Sequence, residues 1–310
     1  MSTDKHVAIL LGGWSAEREV SLSSGEACAK ALEGEGYRVT RLDVGRDLPE
    51  RLREIAPNVC FNALHGKGGE DGTVQGILET LQIPYTHSGV LASALAMNKA
   101  QAKVVFAAAG VPVAESVVVS RSEAAKRHIM QPPYVVKPVA EGSSVGVFIV
   151  REDHRHPPQE LTSAEWKLDN LMMVERYVAG RELTCAVMGD RALGVIEALP
   201  AEGLAFFDYE AKYATGGSIH VLPAEISPKI YDLVRNLALK AHQALGCRGI
   251  SRADFRFDDR PEGTGELICL EVNTQPGMTA TSLVPDLAEH AGLSFAELVR
   301  WIVEDASCNR

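Results

Sequence analysis

Three residues with oxygen-bearing side chains, Asp254, Glu271 and Asn273, fall in two neighbouring strand-like runs near the end of the chain. Glu271 and Asn273 are two residues apart, among apolar Ile268, Leu270 and Val272. Side chains alternate faces along a strand, so Glu271 and Asn273 share one face and the aliphatic residues take the other. The earlier run, Ser251–Phe257, puts Arg252, Asp254 and Arg256 on one face against Ala253, Phe255 and Phe257. The turn-rich stretch Asp258–Gly265 between them predicts a hairpin, which would gather the three oxygen donors. A donor set without Cys or His suits Mg²⁺, which binds through a few carboxylates plus nucleotide phosphates. An exposed sheet face with ordinary charges is the alternative reading of the same pattern.

The chain that must position these groups has 310 residues, 46% hydrophobic and 23% charged, as expected of a globular protein with several cores. A formal net charge of −10 argues against a general nucleic-acid binder. The six cysteines show no zinc-like spacing, and their apolar surroundings predict reduced thiols in a cytoplasmic protein. The apolar run Val7–Leu11 is too short for a leader or a membrane span and reads as a first strand.

A helix from about Glu17 to Leu32, closed by Gly34 and Gly36, follows that strand, with further strands at Tyr37–Asp43 and Val59–Leu64. Such alternation predicts parallel βαβ units, with a ligand crevice at the carboxyl ends of the strands. After a boundary near Ser93–Lys99, a helix at Lys99–Ala109 and strands at Ser116–Val119, Val135–Lys137 and Val145–Val150 form a small α+β unit. A polar helix to about Asn170 completes it. From Met172 strands dominate, interrupted by an amphipathic helix at Ser227–Leu245, and Ser294–Val303 is another. The expectation is an α/β chain of three domains: 1–95 with a doubly wound parallel sheet, 96–180 small and α+β, and 181–310 α+β with an antiparallel sheet.

Several loops could carry chemistry. Gly12-Gly13 after the first strand lacks the spacing of a dinucleotide fingerprint, and no P-loop pattern occurs. Glu17 suits a helix N-terminus, where a carboxylate meets the dipole, as well as a ligand. His65 opens a Gly- and acid-rich turn beyond a strand, the usual place for a cleft residue. Glu141-Gly142-Ser143-Ser144-Val145-Gly146 offers backbone N–H groups that could cover polyphosphate, together with Lys137; an ordinary hairpin turn is its alternative. The long connection between Pro200 and Ser218 holds Phe207, Tyr209, Tyr213 and Lys212, as expected of a water-excluding lid at about 203–217.

In this order the segments Gly12–Ser21, Leu64–Gly72, Lys137–Gly146, Tyr209–Tyr213 and Glu271–Thr279 resemble those of the D-alanine–D-alanine ligases, a family of the ATP-grasp superfamily. The resemblance spans nearly the whole chain and strengthens the metal reading. It implies a three-domain ATP-grasp architecture and ATP-dependent joining of two D-alanines through a D-alanyl phosphate, a product used in peptidoglycan. It further implies a homodimer in the cytoplasm with D-alanine and ATP as its partners, and neither nucleic acid nor membrane. A pair of Mg²⁺ ions, or Mn²⁺, would sit on Asp254, Glu271 and Asn273. Lys99, Lys137 and Lys212 would hold nucleotide phosphates, and Phe206 would also border the ATP site. Glu175, Arg176 and Val178 would contact adenine and Glu182 the ribose. Glu17 would anchor the ammonium of the first D-alanine, with His65 near its carboxylate. Arg252 and the Gly277 N–H would stabilise the oxyanion. Ser282 and the Leu283 backbone would hold the second D-alanine, and Ser143 and Tyr213 would join Glu17 in closing the site.

Arg176-Tyr177-Val178 departs from the Lys, aromatic and Leu common in the family, and His154–Pro158 matches no role. Three other readings compete: a D-alanine–D-lactate ligase, which Tyr213 disfavours; another ligase or carboxylase of the superfamily, which His65 and the Tyr213 lid disfavour; and a non-catalytic nucleotide binder, which the retained Asp254, Glu271 and Asn273 disfavour.

Overall fold

A computed structural model of the chain describes residues 4–143, 145–200, 218–279 and 281–310, and its strands form three sheets. In the first, β1 (His6–Leu11) runs parallel to β2 (Arg38–Asp43) on one side and β3 (Val59–Asn62) on the other. All of β1 and β3 is buried, as a parallel sheet covered on both faces requires. Val7, Ile9 and Leu11 face a core shared with Cys28 and Leu32 of α1 (Arg18–Gly34). Ala8 and Leu10 face Leu48 and Leu52 of α2 (Leu48–Ile55) and Val74 and Leu78 of α3 (Thr73–Leu81). The doubly wound expectation therefore holds.

Next come α4 (Val90–Met97) and α5 (Lys99–Ala108), whose junction is Asn98, its side chain accepting the Gln101 N–H at 3.1 Å. The second sheet has the order β4 (Ser116–Ser120), β7 (Leu171–Arg176), β5 (Tyr134–Pro138), β6 (Phe148–Val150), all antiparallel. A short helix, α6 (Arg121–Lys126), packs beneath it. The polar helix expected up to Asn170 is absent: one 3₁₀ turn at Gln159–Thr162 gives way to irregular chain. Pro157 and Pro158 offer no amide hydrogens there, and the Leu161 and Ser163 carbonyls accept from Arg121 Nη1 at 3.1 and 2.9 Å instead of from a next turn.

The third sheet has the order β10 (Ser218–Val221), β9 (Arg191–Pro200), β8 (Arg181–Met188), β11 (Ile250–Phe257), β12 (Leu267–Asn273), again antiparallel. One face packs on α5 and on α7 (Pro228–Leu245), through Ala102, Phe106, Val234 and Ala241 against Cys185, Phe255 and Val272. On the opposite face Ala186, Leu193 and Ile196 meet α8 (Leu283–His290) and α9 (Phe295–Glu304), which also close the first sheet's core. The remainder of that face is the floor of a cleft. No helix among the described residues is long and apolar enough to cross a membrane.

Two histidines are buried where this core meets the first sheet. His242 of α7 shares a 2.7 Å hydrogen bond between its Nδ1 and Ser251 Oγ, and burial lowers its pKa from 6.5 to about 4. Burial likewise lowers His87 to about 3. Both stay neutral in the folded chain while the unfolded chain takes up protons below about pH 6.5. The stability due to their neutrality is complete above that pH and is lost as pH falls towards the folded values. From pH 6.5 down to 5 each should contribute a slope that rises from about 0.7 towards about 1.4 kcal/mol per pH unit. Denaturant titrations across that window should show His242→Gln removing about one such slope; an unchanged slope would mean that His242 titrates normally.

Candidate active site

The hairpin of β11 and β12 is formed as expected, with Arg252 opposite Asn273 and Asp254 opposite Glu271. Past Asp254 the register shifts: Phe255 pairs with Cys269 and Arg256 with Ile268, leaving Leu270 as a bulge residue. This corrects the simple alternation. Cys269 and Val272 enter the core beneath the sheet, whereas Ile268 and Leu270 pack with Ala114 and Val178 and line a cleft. One strand thus presents hydrocarbon and then carboxylate on the same side.

Two adjoining clefts share Lys99, Glu141, Gly142, Glu182, Asp254 and Glu271. Between them Arg252 Nε and Nη2 grip Asp254 at 3.0 and 2.8 Å, and Thr184 Oγ1 donates to it at 2.8 Å. Lys99 Nζ lies 3.1 Å from Glu271 Oε2 and donates to the Glu141 carbonyl at 2.7 Å. The Asn273 side-chain oxygen accepts the Gln275 N–H at 2.9 Å. These are hard oxygen donors in one row, their charges balanced by Arg252 and Lys99. No cluster of three His, Cys, Asp or Glu side chains suited to a metal occurs among the described residues.

The more apolar cleft is walled by Val135, Pro138, Val145, Val147, Ile268 and Leu270. Glu175, Arg176, Val178 and Glu182 all line it, as does Lys137. Glu175 is buried between Lys137, 2.6 Å away, and Lys103, which also donates to the Ala114 carbonyl at 2.6 Å. Burial opposes the charge on Lys137 and on Glu175, but their mutual attraction outweighs it, so Lys137 is held above its ordinary pKa and Glu175 below. Burial does lower Lys103, which shares that single carboxylate. Arg176 turns its guanidinium to Glu266, with both contacts at 2.7 Å. Glu182 lies 3.5 Å from Arg256.

The more polar cleft contains Glu17, Ser143, Arg252, Gly277, Ser282 and Leu283. Glu17 is buried, and the Ser143 hydroxyl donates to its Oε1. Added Cβ atoms at Gly66 and Gly142 would come within 2.7 and 2.9 Å of Glu17 Oε2, so both glycines are needed for this close approach. Ser282 caps α8 by position but bonds Thr279 instead, accepting its N–H at 3.0 Å. His65 does not line the cleft. It stands behind Glu70 and Ser24, with Nδ1 3.0 Å from Glu70 Oε1 and Nε2 3.2 Å from Ser24 Oγ. Phe206, Lys212 and Tyr213, with the lid expected at 203–217, lie outside the described residues.

Sequence reasoning missed Lys103, Glu70, Thr184, and the His220–Asp286 pair beside Ser282. Lys103 could have been suspected from its place one turn after Lys99 on the same helix; the others depend on contacts between distant segments.

Comparison with known proteins agrees with this geometry. Residues 105–304 match the family described as D-ala D-ala ligase C-terminus, and residues 44–88 the one described as D-ala D-ala ligase N-terminus. The D-alanine–D-alanine ligase of Sinorhizobium medicae is 68% identical over 99% of this chain and 100% of its own length. That of Methylobacterium radiotolerans is also 68% identical, over 99% of each chain. Among solved structures, the D-alanine–D-alanine ligase of Bacillus anthracis has a TM-score of 0.77 and 32% identity, covering 97% of both chains. A complex of the Bacillus anthracis enzyme with ATP gives the same TM-score at 31% identity, covering 98% of this chain and 97% of its own. Matched end to end by such relatives, the chain belongs to the D-alanine–D-alanine ligase family.

Proposed function

We propose how this member of the family joins two D-alanines at the cost of ATP. The carrying observation is the row Asp254, Glu271 and Asn273 at the point where an apolar and a polar cleft meet. The apolar cleft takes the adenine against Ile268, Leu270 and the backbone of Arg176 and Val178, with Glu175 at its edge and the ribose towards Glu182. Lys99 and Lys137, which both line this cleft, reach the phosphates. The oxygen row fits Mg²⁺, with Mn²⁺ as a substitute, and a divalent ion there would supply neutralisation of phosphate charge.

In the polar cleft Glu17 receives the ammonium of the first D-alanine, with His65 held behind Glu70. The carboxylate of that D-alanine attacks the γ-phosphorus and ADP leaves, giving D-alanyl phosphate. The second D-alanine, its carboxylate on Ser282 and the Leu283 backbone, attacks the acyl carbon through its deprotonated amine. Arg252 and the Gly277 N–H stabilise the oxyanion, phosphate departs, and the peptide bond remains. Ser143 ties its loop to Glu17 and shields the acyl phosphate from water. By resemblance Lys212, Phe206 and Tyr213 would complete the cover. The same reading divides the chain at 95 and 180, one sheet to each part, and takes a cytoplasmic homodimer as the active form. Exposed Leu91 and Val104 offer apolar area for such a contact.

Phosphate release from ATP with D-alanine, L-alanine and D-lactate offered separately tests the reading, and D-alanine alone should support full turnover. Glu271→Gln keeps size but removes a charge from the cation site, so turnover should fall by more than about a hundredfold with Tm nearly unchanged. Near-normal turnover would remove Glu271 from that site. Glu175→Gln strands Lys103 and Lys137 beside each other, and breaking a buried ion pair costs about 3–5 kcal/mol. Tm should drop by about 10 °C, with a raised KM for ATP. A Tm within a degree of wild type would show that the lysines find other partners.

A further inference from the structure

His220 lies on β10, the edge strand of the third sheet, opposite Ala198 of β9. Its Nδ1 is 2.6 Å from Oδ2 of Asp286, in the first turn of α8. Both side chains are partly buried, at 18% and 33% exposure, and His220 lines the same cleft as Gly277, Ser282 and Leu283. Neither residue has a part in the reaction as described above.

This contact ties the start of α8 to the sheet. Ser282 makes no capping bond to the helix, because its hydroxyl is turned to Thr279. Val284, Leu287 and Ala288 hold α8 to the sheet by apolar packing, which sets distance but not orientation. A short hydrogen bond to a carboxylate is directional, and it joins the first turn of the helix to a strand that is itself part of the sheet.

We infer that His220 is a positioning residue for the second D-alanine: by holding Asp286 it fixes the turn that presents Ser282 and the Leu283 backbone to the acceptor. This rests on the reading of Ser282 as the acceptor's carboxylate partner. Its effect is expected on the acceptor side, since Glu17, Lys99 and Lys137 belong to other elements.

The test is steady-state kinetics of the full chain, with rates against D-alanine resolved into one Michaelis constant for each D-alanine. His220→Ala should raise the acceptor constant about tenfold, the effect of losing one charged hydrogen bond. The donor constant, the KM for ATP and kcat at saturation should stay within about twofold. Asp286→Ala breaks the same link from the other side and should reproduce the split, including where His220→Ala folds poorly. His220→Asn, whose amide can donate from near the position of Nδ1, should restore most of the acceptor constant. Ser282→Ala serves as reference and should raise the acceptor constant too. Were Ser282→Ala to leave that constant unchanged, the acceptor reading would fall and this inference with it. Were Ser282→Ala alone to raise it, the inference about His220 would fall while the site stood. A uniform loss across all constants, or no rescue by Asn, would make His220 a structural prop and overturn the inference as well.

Discussion

Asp254 and Glu271 face each other across neighbouring strands, and two carboxylates so close repel unless cations attend them. Arg252 comes from the same strand as Asp254, two residues away, so the hairpin supplies its own first counter-charge. Lys99 comes from α5, a helix that is anchored by Phe106 and Ala102 in the core beneath the sheet. Its ammonium also binds the Glu141 carbonyl, which ties the glycine-rich loop to the acid row. The need to balance these charges therefore draws the second and third sheets onto one point.

The first sheet is brought to the same point differently. The helices α8 and α9 come last in the chain yet complete the core of β1 and α1. Glu17, at the start of α1, and Ser282, at the start of α8, consequently open into one polar cleft from opposite ends of the sequence. The first and second sheets, by contrast, bury their hydrocarbon in separate cores, so polar side chains and glycine-backed turns meet between them, and the Ser143–Glu17 bond is one such meeting. The cleft is thus the seam of the packing scheme, which explains why its residues come from so many elements.

Much of this was legible in sequence where a residue's role depends on local pattern. The strand β1, the helix α7 and the pairing of β11 with β12 follow from apolar period and turn composition alone. The family resemblance located Glu17, Lys99, Lys137 and Ser282, all of which line the clefts. What stayed hidden depends on tertiary choice. The segment after Pro158 had enough polar helix formers to suggest a helix, but Arg121 competes for its carbonyls. His65 was expected at the cleft because it follows a buried strand, yet its ring turns inward to Ser24 and Glu70. Nothing in the local pattern marks Lys103 as buried, because its partner Glu175 comes from a distant strand. Alternation puts Ile268 on the face away from Glu271, and the bulge at Leu270, which leaves no composition signal here, turns it to the same side.

That bulge lets a single strand serve two solvents. Below Leu270 its open face is oily enough for a flat ring, and above it the face is ionic, with no loop spent on the change. The arrangement is a phase slip, and phase is sensitive to counting. A strand of regular register would send Ile268 into the core and bring the thiol of Cys269, now wholly enclosed, to the apolar wall of the cleft. Length at this position is hence as tightly constrained as chemistry: the segment tolerates exchange of one hydrocarbon for another far better than the gain or loss of one residue.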